Sequence, residues 1–240
     1  MIRPVLLSLL ALSLVARADD TQGLVMPFLQ VSVSSPVLQE VISHVLVKEG
    51  DVVKEGQILI ELRKEKEELE VRQAEQVVQQ RKFTAEGAQK LLNEKIGSKE
   101  VALEKQTELE LAKIQLAAAE VRLKEKSIRS PLDGIVVKKY KEAGEAVDRV
   151  EKLLDVVNID QVYVQFYLEP KLLQSMKQDM EVPVRFPGTG IPDFTGKISF
   201  IDPRIDAGSG LFRVKVLIDN KDHQIKAGMR GGVDFAKLGK

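Results

Sequence analysis

The sequence predicts an α+β chain in which one β-sandwich is assembled from two half motifs, an antiparallel helical hairpin is inserted between those halves, and a small β-barrel follows. Three observations carry this reading. The stretch GDVVKEGQILIEL at residues 50–62 returns as GEAVDRVEKLLDV at 144–156, with Gly50/Gly144, Asp51/Glu145, Val53/Val147, Leu59/Leu153, Ile60/Leu154, Glu61/Asp155 and Leu62/Val156 at one constant offset. Between the copies, residues 63–127 contain no proline and only Phe83 among aromatics, in a background of Glu, Lys, Arg, Gln and Ala that favours long helices. After the second copy, apolar residues alternate with polar ones, the period of half-buried strands.

The first 18 residues, MIRPVLLSLLALSLVARA, carry Arg3, an apolar run from Val5 to Val15 and an Ala16-Arg17-Ala18 ending. This is the layout of a secretory signal, expected to be cleaved after Ala18 to leave Asp19 as the mature N-terminus. The run falls short of the ~20 apolar residues a membrane span needs, which disfavours the alternative of an uncleaved N-terminal anchor. Zero cysteines exclude disulfides, thiolate chemistry, Cys-ligated metals and a Cys-anchored lipid. Removing Arg3 and Arg17 from the 36 basic side chains leaves 34 against 36 acidic ones, a net charge of −2. A chain without basic excess, with no Trp and three Tyr, offers neither the cations nor the stacking platforms that nucleic acid requires.

Residues 19–36 alternate weakly, with Val31 and Val33 on one side of a strand expected to join the barrel. Residues 37–62 and 128–157 form the two halves, and Leu38/Leu132, Val41/Ile135 and Ile42/Val136 extend the repeat at the same offset. Halves of this size are too small to bury a core alone, so they must pack on each other as one sandwich.

Within residues 63–127, Val71, Val78, Ala85 and Leu92 are spaced by seven, with Ala74 and Ala88 offset by three. Farther along, Ile114, Val121 and Ile128 keep the same spacing, as do Leu109, Leu116 and Leu123. A period of seven keeps one seam facing a partner helix. Gly97 is expected as the left-handed residue ending the first helix, Ser98 as the N-cap of the second, and Pro131 as the stop beyond it. The hairpin then runs about 33 residues up and 29 down, near 50 Å at ~1.5 Å per residue. Glu68/Arg72, Glu86/Lys90 and Glu120/Lys124 stand at the i,i+4 spacing of weak helix ion pairs. One antiparallel hairpin does not cover two stripes, so Leu109, Leu116 and Leu123 are expected to await a second copy or another protein.

Residues 158–238 read as all-β. Val162, Val164, Phe166 and Leu168 share a face, as do Phe212, Val214, Val216 and Ile218. Turns are expected at Pro187-Gly188, Gly196, Gly208 and Gly210, and a short helix in EPKLLQSM with Leu172, Leu173 and Met176 inward.

The ordered set VLVKEGDVVKEGQILIEL, SPLDGIVVKKYKEAGEAV, FTGKISFIDPRID and LFRVKVLIDNKDHQIKAGM, with a hairpin between the first two, resembles the periplasmic adaptor family, also called membrane fusion proteins. The resemblance covers nearly the whole mature chain. It implies a lipoyl/biotinyl-like sandwich, a coiled-coil hairpin and a barrel. It also implies a place in a tripartite efflux or export system linking an inner-membrane transporter, of RND or ABC type, to an outer-membrane channel. About six copies would form a tube in the periplasm. The family's channel-contacting tip has Arg, then Leu four residues on, then Ser seven further; here Leu91 and Ser98 match, Gly87 replaces the Arg, and Lys90 supplies a nearby cation. Lys90, Leu91, Leu92 and Ser98 are thereby the candidate partner-binding residues. Glu40 stands where the first half motif has Gly, whereas Gly134 keeps it in the second.

Two readings of other classes compete. A lipoyl or biotin carrier presents its modified Lys on the tight turn joining the halves, but here that turn is replaced by the hairpin, with no Met-Lys-Met or Asp-Lys-Ala sequence. An exported coiled-coil scaffold of the cell envelope would share the hairpin without the transport role. No cofactor, metal site or catalytic group is expected: His44 and His223 lie far apart, no Ser/His/Asp grouping or phosphate loop occurs, and Met26, Met176, Met180 and Met229 do not cluster and read as core gap-fillers.

Overall fold

A computed structural model describes residues 20–237, so the signal segment, its cleavage after Ala18 and residue 238 of the barrel segment lie outside the described residues. The chain forms two compact units: Leu29–Asn158, and the residues up to Phe28 together with those from Ile159 onward.

In the first unit, the second part of β1 (Thr21–Ser34) leads to β2 (Glu40–Val45), β3 (Val52–Val53) and β4 (Ile58–Leu62). The chain leaves as α1 (Glu65–Asn93), returns as α2 (Lys99–Glu125), and continues as β5 (Ser127–Arg129), β6 (Gly134–Lys139), β7 (Ala146–Val147) and the start of β8 (Lys152–Leu168). The repeat is a structural one. β2 pairs β4 through Ile42 and Leu62, as β6 pairs β8 through Val136 and Val156. The halves also exchange strands: β2 pairs β7, and β3 pairs β6. Five apolar pairs of the repeat are buried in one shared core, Ile42/Val136, Val53/Val147, Leu59/Leu153, Ile60/Leu154 and Leu62/Val156, whereas Leu38 is exposed and Val41 and Ile135 are half-buried. Burying a side chain of this size stabilises by about 1.5–3 kcal/mol, and neither half could enclose its five without the other.

The turns obey the repeat as well. Gly50 and Gly144 both adopt left-handed backbone, at φ 92° and 90°. At the next turn Gly56 has φ 79°, and its counterpart Val150 has φ 67°. A β-branched residue there is strained by about 1–3 kcal/mol. Val150→Gly is expected to raise stability in urea melts by about 1 kcal/mol after the added chain entropy of glycine is subtracted. Gly56→Val is expected to lower it by about 1–3 kcal/mol. A destabilised Val150→Gly protein would contradict this.

The helices run 29 and 27 residues, about 40 Å each at ~1.5 Å per residue, shorter than the sequence spacing implied. α2 already ends at Glu125, before Pro131 could stop it, because Lys126 caps it and Ser127 enters β5. Cross-helix ion pairs Arg81–Glu108 at 2.7 Å and Arg122–Glu70 at 3.2 Å show the two running in opposite directions. α2 turns Ala102, Leu109, Ala112 and Ala119 inward, with Leu116 and Leu123 half-buried on the same side. The face of α1 toward it carries buried Ala85 and half-buried Val71, Ala74, Val78, Ala88 and Leu92. The stripe expected to be open is therefore the closed one. Ile114 and Val121 are exposed instead, and Ile128 belongs to the sandwich core. Alanines decide the choice: Ala102, Ala112 and Ala119 alternate with the leucines and let the helices approach. The ion pairs along the helices are Lys66–Glu70, Lys82–Glu86, Lys105–Glu108 and Lys113–Glu110 rather than those anticipated from spacing.

In the second unit, the strands run β12–β1–β8–β11–β10–β9, where β9 is Glu181–Val184, β10 Phe194–Ile205, β11 Phe212–Asp219 and β12 Arg230–Val233. A bridge between Arg185 and Gly232 brings the two ends of that order together, closing a barrel. Val162, Val164, Phe166, Leu168, Phe212, Val214, Val216 and Ile218 fill it, as the alternation indicates. Gly196 is not a turn: it lies inside β10, where a Cβ would meet Val216 Cγ1 at 2.4 Å. EPKLLQSM forms a 3₁₀ segment, Pro170–Ser175, and Leu173 points to solvent while Met176 is buried. Met176 lies just past the segment in extended backbone, so it is buried without sharing a helical face with Leu173. Met26 is also exposed on β1 and fills no core gap.

Candidate partner-docking hairpin

The tip connects α1 to α2 in five residues. Glu94 caps α1, and the left-handed residue is Lys95 at φ 63°, not Gly97. Lys95 N–H donates to Leu92 O and Ile96 N–H to Leu91 O, the paired bonds of a Schellman stop. Gly97 serves a different need. Its N–H donates to Leu91 O, and an added Cβ would stand 2.9 Å from Leu92 N and 3.0 Å from Leu91 Cβ. Glycine thus lets the returning chain fold tightly over the helix end. Ser98 is the N-cap, accepting from Glu100 N–H at 3.1 Å. Ser98→Ala is expected to cost about 1 kcal/mol in a thermal melt.

The adjacent leucines separate. Leu92 continues the Val71–Val78–Ala85 row and is half-buried against α2, whereas Leu91 is 47% exposed and Lys90 faces solvent. Ile96 and Val101 are exposed beside it in sequence. Gly87 lies in open space, where an added Cβ would meet nothing beyond the backbone of its own helix. The tip is an apolar spot among three exposed lysines, Lys90, Lys95 and Lys99.

Farther down, Leu103, Leu111, Ile114 and Val121 fall within ~80° of one another around α2, on the side away from Leu109, Ala112 and Leu116. All four are exposed, Ile114 by 65%. On α1, Leu69 and Phe83 face away from the seam, and Phe83 is 80% exposed. Phe83, Leu103 and Leu111 escaped the sequence reading because they lie off the heptad rows. The signal that would have exposed them was the alternation of alanine with Leu109 and Leu116, which marks the dry side of α2 and leaves the rest uncovered.

His223 bonds Asp160 at 2.7 Å, and His44 lies 3.9 Å from Glu61. Among the described residues, no cluster of three or more His, Cys, Asp or Glu side chains is placed to hold a metal ion. No helix among them is long and apolar enough to cross a membrane.

A sandwich split by a helical hairpin and followed by a six-stranded barrel defines an adaptor architecture. The CzcB-like, barrel-sandwich hybrid domain matches residues 30–158, and the CusB-like, beta-barrel domain matches residues 161–238. The chain belongs to the membrane fusion protein, or periplasmic adaptor, family. It is 26% identical to the nodulation protein NolF of Rhizobium meliloti over 130 residues, 53% of this chain and 35% of that protein. It spans only about a third of NolF. Among solved structures, a MacA-MexA chimeric protein containing the Pseudomonas aeruginosa MexA alpha-hairpin domain superposes with TM-score 0.78 at 18% identity, covering 90% of this chain and 80% of that one. The membrane fusion protein Spr0693 of Streptococcus pneumoniae R6 superposes with TM-score 0.69 at 18% identity, covering 89% and 97%.

Proposed function

We propose that this chain is an exported, non-catalytic adaptor that links an inner-membrane transporter, of RND or ABC type, to an outer-membrane channel in a tripartite efflux or export system. One observation carries the reading furthest: a long hairpin rooted in the sandwich core exposes apolar side chains at its tip and along both outer faces. Lys90, Leu91 and Ser98 form the channel-docking end, with Leu92 supporting it from the seam. Signal cleavage after Ala18 delivers the chain to the periplasm.

Copies associate side by side into a ring of about six. The outer face of α1 carries Lys66, Arg72 and Lys90 with Leu69 and Phe83, and that of α2 carries Glu100, Glu104, Glu110 and Glu125 with its apolar stripe. The Arg81–Glu108 and Glu70–Arg122 pairs set matching heights. Placed beside a neighbour pointing the same way, Lys90 meets the level of Glu100 and Glu104, Lys66 that of Glu125, and Phe83 that of Leu103 and Leu111. Both faces also carry the opposite sign, Glu65 and Glu86 on α1 and Lys99, Lys113 and Lys124 on α2, so the apolar side chains, not net charge, carry the head-to-tail association.

The test is purification of the tagged chain from its host's envelope in mild detergent. A transporter and an outer-membrane channel are expected to co-purify; recovery of the chain with neither would favour the scaffold reading.

A further inference from the structure

Glu40 and Gly134 occupy equivalent places in the two halves, yet they are opposite in character. A Cβ on Gly134 would lie 2.4 Å from Val157 O, because β8 runs on past that point. In the first half the matching strand stops at Leu62. Arg63 N–H makes a last bond to Val41 O at 2.9 Å, and the chain then turns away into α1. The space that β8 fills in one half is thus left free in the other, and Glu40 uses it. Its carboxylate bonds the Lys126 ammonium, which also bonds Glu67 Oε1 at 3.0 Å. The three side chains are only 9%, 19% and 14% exposed for Lys126, Glu40 and Glu67.

Their positions give the cluster its meaning. Glu40 opens β2, Glu67 lies in the first turn of α1, and Lys126 caps α2. The hairpin is otherwise joined to the sandwich by two chain crossings, at Arg63–Lys64 and at Lys126, tied by the Leu62 N–H to Lys126 O bond at 2.8 Å and, beside the first crossing, by the Lys64–Glu61 ion pair at 2.8 Å. Two adjacent crossings define a hinge axis and leave the swing about it free. A contact from β2 to both helices removes that freedom.

We propose that Lys126, Glu40 and Glu67 are positioning residues that lock the angle at which the hairpin leaves the sandwich. Burial opposes charge on Lys126, but its two carboxylate partners outweigh that and hold its pKa above the ordinary lysine value. Burial likewise acts to raise Glu40, and the Lys126 bond, its own Val41 N–H and nearby Arg63 hold it below the ordinary glutamate value. Lys126 and Glu40 therefore stay charged at neutral pH. Removing Lys126 leaves two part-buried carboxylates facing each other, which drives them apart rather than merely releasing them.

The chain has no cysteine, so introduced pairs can be spin-labelled without background. One label at Gln89 on the hairpin and one at Lys48 on the sandwich report the angle by pulsed electron resonance on the whole mature chain; labels at Lys48 and Lys152 report the sandwich itself. The native protein is expected to give one narrow hairpin-to-sandwich distance. Lys126→Met is expected to broaden it at least twofold while the sandwich distance holds, and Lys126→Arg to restore it. Glu40→Gly, which copies the other half, is expected to broaden it as well and serves if Lys126→Met does not fold. An unchanged hairpin distance in a folded Lys126→Met or Glu40→Gly protein, or broadening of both distances alike, would overturn the lock. The measurement needs no partner and stands apart from the proposed adaptor role.

Discussion

Replacing Leu91 by Asp is expected to weaken association with the outer-membrane channel by about 2–4 kcal/mol while the melting temperature stays within about a degree of the native value. The side chain is half in solvent, and the bonds that stop α1 use its carbonyl, not its isobutyl group. An Asp at 91 therefore retains the Schellman pair and the fold. In a docked complex the same carboxylate loses its water beside apolar surface, with Lys90 as the nearest cation in sequence. Leu92→Asp is the informative contrast, since it places the charge in the seam and is expected to lower the melting temperature. Circular dichroism melts run beside a channel-binding assay separate the two. An early-melting Leu91→Asp protein, or one that binds normally, would remove Leu91 from the docking surface.

The second large effect lies lower on the hairpin. Ile114→Asp is expected to abolish self-association in light scattering and leave the monomer's stability nearly unchanged, because Ile114 is 65% exposed in the single chain. Leu109→Asp, five residues earlier on the same helix, puts an unpaired charge at a position only 6% exposed and is expected to cost about 3–5 kcal/mol of folding free energy. Phe83→Asp should reproduce the Ile114 result, since the ring model sets it against the neighbour's α2. If Ile114→Asp and Phe83→Asp both associate as the native chain does, the facing of α1 on α2 between copies is wrong.

The pair Leu109 and Ile114 also shows where sequence was informative. Both rows repeat by seven, so periodicity locates a hairpin and its two stripes but does not say which stripe meets the partner helix. That is settled by backbone approach, which favours the row shared with Ala102, Ala112 and Ala119. The sandwich was more legible, because burial there follows a repeat five of whose apolar pairs reach one core. Positions with unusual backbone were less so: Lys95 and Val150 carry left-handed φ that residue type would have assigned to Gly97 or to another glycine. Gly97 and Gly196 answer to close approach instead, a tertiary fact that no local pattern contains. Glu40 looked like a departure from its own motif, and only the Lys126 and Glu67 partners, distant in sequence, explain it. At the tip, Leu92 falls on the heptad row of Val71, Val78 and Ala85 and Leu91 falls beside it, and that difference in helix phase separates the half-buried side chain from the exposed one.

The central claim, that this hairpin reaches a channel, is tested most directly by placing a photo-crosslinking amino acid at position 91 in the chain produced by its own host. Irradiating intact cells and identifying the adduct by mass spectrometry should give a crosslink to an outer-membrane channel protein, lost when the transporter gene is deleted. Crosslinks only to other copies of the chain or to soluble envelope proteins, with the channel present, would contradict the account.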